Sequence, residues 1–600
     1  MIDVNRDNRE DIIKRIKYLS IIVAVFFLIF TIRIWHLQIL KGKHYRNLSE
    51  NNRVRVIKTI PPRGILYDRN SIPIVNNIPS FDVTFSIEDT YTEERIEETI
   101  KTLGFLLNIP EEDIKKKIAN YRQSKPFEPV RVKENITWKE VAMIEARRSD
   151  LLGVSVEATV KRDYLYGDIG GHLLGYLGRI TPEQSKDHEY RNLPSSIAIG
   201  QWGIERTFDR ALRGTPGNRM IEVNAIGQEI RMLSAKEPEK GNDIHLTIDI
   251  KTQKAAEEAL GKHSGAIVAM DPMSGEILAL VSRPGFDPNQ FSKGISRQQW
   301  QGLLNHQDHP LTNRATQGLY PPGSTFKIIV AAAGLDTGII DPSWSVRCQG
   351  SIRFGGRDYR CWKKEGHGIV SLHRAIVESC DVYFYELGRK LGVDRIAEYA
   401  NKFGLGMVTG ISANPENAGV IPSTSWKKKI KGERWFYGET LSVSIGQGYI
   451  SVTPLQMAVA LSAFVNGGKI YKPRIVRNEN IESRDVHLND IEVLDFIRQS
   501  LQDVVEAPEG TGRAAQSKIT TIGGKTGTSQ VIGIQSGKPL SHLRKFADHA
   551  WFIAFAPVDS PSIVVSVLVE HGRRGGTTAA PIAKKVIEAY IESNKNKAVQ

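Results

Sequence analysis

The chain has 600 residues, 40% hydrophobic and 24% charged, which suits several folded cores and excludes a disordered polymer. A net charge of +13 admits nucleic acid, an anionic membrane surface or an anionic polymer as partner. No zinc-finger repeat or RNA-binding signature supports the first, so no nucleic-acid partner is expected.

Tyr18 to Ile32 carries no charge. A membrane span needs about 20 residues, so the apolar segment has to run past Arg33 to Trp35 and beyond. A cleaved secretory signal is the rival reading. Bulky Ile34, Trp35 and Leu37 stand where a small-x-small cleavage site would be, which favours an uncleaved signal anchor over residues 18–38. Arg6, Arg9, Lys14, Arg15 and Lys17 precede it. Positive-inside logic makes residues 1–17 a cytoplasmic tail and sends the rest of the chain across the inner membrane, to the periplasmic side.

Residues 39–240 read as an extended module. PPRGILYDRN (residues 61–70) is a punctuated turn-rich segment. Residues 93–107, 111–121 and 138–149 have helical patterning. His172 in GGHLLGYLG reads as a packed structural histidine. Glu205 and Asp209 in GIERTFDRALRG read as partners of nearby arginines.

The texture changes near Gly241. Ile244, Leu246, Ile248 and Ile250 alternate as a strand does, and residues 251–262 read as a helix. GAIVAMDPMSGEILALVSRP reads as a hairpin, WFIAFAPV and PSIVVSVLVE as a second strand pair, and residues 581–593 as a closing helix. Strands at both ends with helices between them predict an α+β domain over residues 241–593, an antiparallel sheet packed by helices. Residues 594–600 read as a frayed tail.

Between the strand pairs lies YPPGSTFK (residues 320–327). Pro322 and Gly323 suit a helix entrance, and STFKIIVAAAGLDTG reads as a buried helix from Ser324. Lys327 sits three places on and shares a face with Ser324. A helix mouth leaves backbone N–H groups unpaired and favours developing negative charge. A hydroxyl there, with an amine to take its proton, is an activated nucleophile. Ser-x-x-Lys alone also fits a plain N-cap serine beside a solvated lysine. Two more pieces change this: Ser379-Cys380-Asp381 at a helix start, and Lys525-Thr526-Gly527-Thr528 in a strand. Ser-x-x-Lys, Ser-x-Asx and Lys-Thr-Gly in that order form the signature of β-lactamases and penicillin-binding proteins.

On these words, and on NRVRV, PPRGILYDRN, GIERTFDRALRG, RCWKKEGHG, SIGQGYISVTPLQMA and DHAWFIAFAP, the chain resembles the class B penicillin-binding proteins, most closely the elongation-type penicillin-binding protein 2. The resemblance runs from about residue 45 to 590. It implies a pedestal followed by a β-lactamase-like transpeptidase domain, and D,D-transpeptidation of peptidoglycan stem peptides in cell-wall elongation and cell-shape maintenance. Ser324 would attack the D-Ala–D-Ala carbonyl and Lys327 would be the general base. Ser379 and Lys525 would relay protons. Thr526, Gly527 and Thr528 would hold the substrate carboxylate, and the backbone N–H groups of Ser324 and Thr528 would form the oxyanion hole. β-Lactams would acylate Ser324. No cofactor is needed for that chemistry. The implied partner is a SEDS-type, RodA-like glycosyltransferase together with other elongation-complex proteins. The second motif departs from the commoner Ser-x-Asn: Asp381, when ionised, only accepts hydrogen bonds, and a helix-cap carboxylate is its plainer reading.

Other readings stand beside this one. A β-lactamase or carboxypeptidase leaves the roughly 200 residues before Gly241 without a use, and no water activator is assigned. A β-lactam sensor needs a larger cytoplasmic portion. A division-type transpeptidase or a catalytically weak scaffold that binds β-lactams remains open.

Every cysteine of the chain lies in Cys348-x12-Cys361-x5-His367-x12-Cys380. Three thiols and an imidazole match a closed structural zinc site. One disulfide plus a free thiol, or three unlinked thiols, are the alternatives. On a helix Cys380 projects about 100° from its neighbours, away from the cleft. Arg573, Arg574 and the glycines after them read as a loop near the cleft.

Overall fold

The computed structural model describes residues 4–43, 45, 54–86, 93–124, 129–191, 193, 197–223, 229–413, 415–531 and 547–598. Residues 1–3 of the expected tail, the first two of NRVRV, and 599–600 lie outside them. The chain forms two compact units: Met1–Pro61, Phe81–Thr159 and Thr215–Glu239 make one, and Pro62–Ser80, Val160–Gly214 and Lys240–Gln600 the other.

The smaller unit begins with the helix Val4–Trp35, continued by a π-helical turn, His36–Leu40. Over Ile12–Leu40 the mean hydropathy reaches 2.2 with nothing packed on it, so among the described residues this is the one helix long and apolar enough to cross a membrane. A second part of the unit packs the helices Glu93–Leu107 and Glu111–Ser124 around Val83, Phe85, Leu103, Ile114 and Val132. The helix Trp138–Glu145 starts at a capping box between Thr137 and Glu140. It stops short of Ser149 because Arg147 and Arg148 turn back onto carbonyls three residues earlier, tightening the last turn. Val54–Thr59, Gly217–Val223 and Glu229–Lys236 form a three-stranded antiparallel ladder.

The larger unit is α+β. Its five-stranded antiparallel sheet has the order Ile277–Arg283, Gly265–Met270, Ile563–Val569, His549–Ala556, Gly523–Ser529. The two predicted strand pairs thus meet at Gly265–Met270 and Ile563–Val569, the hairpin turning at Gly275 with φ +75°. Both faces of the central strands are apolar, so both need cover. Ala580–Ala598 and Ile250–Leu260 pack on one face; the first runs on to Ala598, through residues read as a frayed end. Lys327–Asp336, Pro454–Val465 and Glu492–Glu506 fill the other, where Ile328, Ile329, Leu461 and Leu501 are fully buried. Each such side chain contributes about 1.5–3 kcal/mol.

The alternation from Ile244 to Ile250 does not make a long strand. Ile244–His245 pairs alongside Leu66–Tyr67, Leu246 makes a single bridge to Val476, and Asp249 then caps the helix from Ile250 by accepting from the Thr252 N–H.

Residues 62–80 and 160–214, which the sequence reading groups with the pedestal, cluster with the sheet unit. Buried charges explain part of this. Glu205 accepts from Arg63 at 2.6 Å and Arg162 at 2.7 Å, and Asp209 pairs with Arg63 at 2.8 Å and Arg213 at 2.7 Å. Glu205 and Asp209 are therefore ion-paired as expected, though two of the three arginines are remote in sequence. Burial pushes the Glu205 carboxyl up, but Arg162 and Arg63 overcome this and hold it below the usual carboxylate range. His172 is a packed histidine: burial lowers it to about 4, and its ring stands edge-on to Phe286.

Candidate active site

Ser324 lies in a single 3-10 turn, Gly323–Phe326, and the α-helix starts only at Lys327. The sequence placed the helix start at Ser324. The turn is tighter because its flanks are tied down: Gly323 N–H donates to the Gly446 carbonyl at 2.9 Å, Thr325 Oγ1 to the Pro322 carbonyl at 2.7 Å, and Trp551 Nε1 to the Pro321 carbonyl at 3.0 Å. Gly323 has φ +55°, and a Cβ there would come within 2.5 Å of the Thr528 carbonyl oxygen. The glycine therefore serves both a left-handed backbone and a close approach of two chain segments. That approach sets the strand Gly523–Ser529, with Lys525, Thr526, Gly527 and Thr528, beside the serine turn.

Lys327 is fully buried. Its Nζ donates to the Asp381 Oδ1 at 2.6 Å, the Ser379 carbonyl at 2.9 Å and Ser379 Oγ at 3.4 Å. Ser379 holds φ +57°, a conformation costing about 1–3 kcal/mol outside glycine. Its carbonyl is thereby a partner of the lysine rather than of the helix Asp381–Leu391 that follows. Burial pushes the Asp381 carboxyl above its ordinary value, against the pull of Lys327. Lys525 is also fully buried; burial and then the charge of Lys327 push its ammonium well below the ordinary lysine value. Two amines, the Ser379 hydroxyl and the Asp381 carboxylate thus share a dry site next to the half-buried Ser324, an arrangement suited to proton transfer to and from a serine.

Thr526 Oγ1 bonds Thr511 Oγ1 at 2.8 Å, and Gln447 Nε2 donates to the Thr528 carbonyl at 3.1 Å. Thr511 and Gln447 were not singled out from the sequence. Gln447 had a signal in SIGQGY, whereas Thr511 had none. The glycines after Arg574, read as a loop, instead open a π-helical turn, Gly575–Ala579, which lies against this strand: a Cβ on Gly575 would meet the Gly527 carbonyl oxygen at 2.5 Å.

Cys348, Cys361, His367 and Cys380 are all buried, and their ligand atoms lie within 4.8 Å of one another. The cysteines are free thiols. His367 Nδ1 is 3.5 Å from Cys348 Sγ and 3.6 Å from Cys361 Sγ. Tetrahedral zinc with ordinary Zn–S and Zn–N bonds sets sulfur and nitrogen about 3.6 Å apart, so the donor set and its spacing fit that ion. Cys380 points into this cluster. The cluster also touches the partner of Lys327: the Asp381 N–H donates to Cys361 Sγ at 3.4 Å, and the Trp362 N–H donates to Asp381 Oδ2 at 3.0 Å.

Two family models match the chain: "Penicillin binding protein transpeptidase domain" over residues 265–588 and "Penicillin-binding Protein dimerisation domain" over residues 58–246. The chain belongs to the class B penicillin-binding proteins. Among curated relatives of this family member, the peptidoglycan D,D-transpeptidase MrdA of Acinetobacter baumannii is 36% identical over 96% of this chain and 88% of its own. MrdA of Escherichia coli K12 is 33% identical over 94% and 92%. Among solved structures, the complex of penicillin-binding protein 2 and MreC from Helicobacter pylori contains a chain with TM-score 0.80 and 29% identity, covering 90% of this chain and 99% of that one. Pseudomonas aeruginosa penicillin-binding protein 2 in complex with WCK 5153 gives TM-score 0.66 and 32% identity over 89% and 96%.

Proposed function

We propose that Ser324 is the nucleophile of this peptidoglycan D,D-transpeptidase. The observation that carries the assignment is the three-way bonding of Lys327 Nζ, one turn after Ser324, to the Ser379 carbonyl, Ser379 Oγ and Asp381. Ser324 Oγ attacks the carbonyl between the two terminal D-alanines of a stem peptide. Lys327, a free amine once its own proton has passed to the Asp381 carboxylate it bonds, takes the hydroxyl proton, and Ser379 and Lys525 relay it to the departing amine of D-alanine. The ester at Ser324 then loses its acyl group to an amine of a neighbouring stem, whose surplus proton returns along the same path. Thr526, Gly527 and Thr528 hold the terminal carboxylate. Backbone N–H groups of Ser324 and Thr528 face the oxyanion, a contribution of about 3–4 kcal/mol per donor in acyl transfer. The chemistry runs on protein side chains and draws on no cofactor. A β-lactam is opened by the same attack and stays on Ser324.

The organisation that goes with this function is a pedestal over residues 39–240 and a transpeptidase domain over 241–593, supported by the ranges of the two family matches. The apolar helix supports single-pass anchoring, with residues 1–17 cytoplasmic and the transpeptidase domain on the periplasmic side. A role in elongation, with a RodA-like glycosyltransferase as partner, goes with this reading; one similar chain is solved as penicillin-binding protein 2 in complex with MreC and another in a peptidoglycan synthase complex. Cys348, Cys361, His367 and Cys380 hold a structural zinc that ties the 348–367 segment to the element carrying Ser379.

Mass spectrometry after exposure to labelled penicillin tests the core of this reading. One adduct is expected, on Ser324, and none in Ser324→Ala. An adduct on another residue, or full stem-peptide crosslinking by Ser324→Ala, overturns it.

A further inference from the structure

Lys427 is buried although it sits in the most basic stretch of the larger unit, KKKIKGER. Its Nζ pairs with Glu439 at 2.5 Å and Glu433 at 3.4 Å, and lies 4.4 Å from the centre of the Phe436 ring, with Trp435 and Tyr449 also within 6 Å. One side chain therefore pins the helix Thr424–Lys431, the segment after it and Tyr449 into a single body. Trp426 adds a ring contact to Tyr449 at 5.5 Å.

The outer surface of this body is unusual. Lys428, Lys429, Lys431 and Arg434 are exposed. So are Phe436, at 48%, and Tyr437, at 81%. The Tyr437 ring, so far out of the core, contributes little to folding, and a mixed patch of exposed rings and cations marks a binding surface. The patch is continuous with the cleft. Tyr449 stands two residues from Gln447, which holds the Thr528 carbonyl, and Gly446 in the same turn accepts from Gly323. Tyr359 OH donates to the Gly438 carbonyl and braces the ring-bearing segment from the other side.

We infer that this surface is a platform for the peptidoglycan strand itself, an uncrosslinked glycan that carries anionic stem peptides. The argument is charge complementarity together with continuity. Stem peptides repeat carboxylates along the strand, which the cations attract, and the apolar faces of sugar rings suit the exposed Phe436 and Tyr437. The inference rests on the transpeptidase reading of the adjoining cleft. It adds that the enzyme recognises its substrate beyond the peptide terminus, and that the platform carries a share of polymer affinity which a small acyl donor never uses.

Two variants of the full chain separate the platform from the cleft: Lys428→Glu/Lys429→Glu/Lys431→Glu, and Tyr437→Ala, whose exposed ring leaves no void. The probes are soluble uncrosslinked glycan strands bearing pentapeptide stems, the same strands with stems removed, anionic phospholipid vesicles, and labelled penicillin. The charge variant should bind stem-bearing strands about tenfold more weakly at low salt, with a flatter salt dependence. Tyr437→Ala should weaken both kinds of strand. Both variants should acylate with penicillin within about twofold of wild type, since that step needs only the cleft. Wild-type strand affinity in both variants overturns the inference. So does a loss confined to vesicle binding, which would make the patch a membrane face. So does a loss of penicillin acylation in Tyr437→Ala, which would make the ring part of the fold. Failure of the wild type to acylate Ser324 would instead overturn the transpeptidase reading, with strand affinity still measurable.

Discussion

Asp381 bonds Lys327 with one carboxylate oxygen and the Trp362 N–H with the other. Trp362 follows Cys361 in the chain, so the Ser379-Cys380-Asp381 segment and the Cys/His cluster share a residue contact. Asp381→Ala leaves the buried Lys327 ammonium without its anion, at a cost of about 3–5 kcal/mol. Asp381→Asn keeps the shape and a hydrogen-bond acceptor, and should cost clearly less. Urea unfolding should rank wild type above Asn above Ala, and penicillin acylation rates should follow that order. Equal stability of the Ala variant would show that the pair does not hold the lysine.

Lys525 behaves differently, because burial and Lys327 work against its charge. A lysine held low in the fold is uncharged there at pH values where the unfolded chain still binds its proton. Stability therefore rises with pH between the folded and unfolded values, and is reduced below that window. Lys525→Met removes this slope. The variant should melt higher than wild type near neutral pH and lose at least about a hundredfold in acylation. A lower Tm together with retained acylation would contradict both parts.

Glu205 gives the opposite sign. Its carboxyl is held low by Arg162 and Arg63, so its contribution is present above the unfolded carboxylate value and is lost as pH falls through the folded one. Glu205→Gln should destabilise by about 3–5 kcal/mol near neutral pH, since the buried Arg162 guanidinium loses its anion and Arg63 keeps only Asp209. The gap in Tm between wild type and variant should narrow in acid. A gap that does not change with pH would rule out the charge as its source.

Purified protein kept reduced should contain about one zinc per chain. Cys348→Ala and His367→Ala should each lose it. Chelation should lower Tm and slow penicillin acylation, because Cys361 accepts from the Asp381 N–H. Reduced protein without stoichiometric metal refutes the zinc assignment.

Gly323→Ala puts a methyl group 2.5 Å from the Thr528 carbonyl oxygen at a positive φ. The serine turn and the Lys525 strand then have to move apart. A loss of about 1–3 kcal/mol is expected, with acylation falling by more than tenfold. Unchanged acylation would mean that the spacing of these two segments is not what positions Ser324.

The amino-acid sequence by itself determined a good deal. The apolar run from Tyr18, the two strand pairs at either end of residues 265–569 and the three motif fragments are local patterns, and local patterns survive without knowledge of the fold. The fragments also pointed to segments that the fold brings together, since Lys327 bonds Ser379 and Asp381 and Gly323 closes on Thr528. Glu205 and Asp209 could be read as paired because arginines stand beside them in GIERTFDRALRG, though of those only Arg213 is a partner of either in the fold.

Only the tertiary structure decided what distant segments do to one another. Asp381 could not be seen as the anion of Lys327, because 53 positions of chain separate them and nothing in either neighbourhood encodes the contact. The alternation at Ile244–Ile250 misled for the same reason: pairing goes no further than the bridge from Leu246 to Val476, and Asp249 then caps a helix. Convergence of Cys348, Cys361, His367 and Cys380, the close approach of Gly323 to Thr528, and the place of Gln447 beside it are distances in space. Such distances follow from how the sheet and its covering helices bury their apolar faces together, and that is a property of the whole chain rather than of any stretch of it.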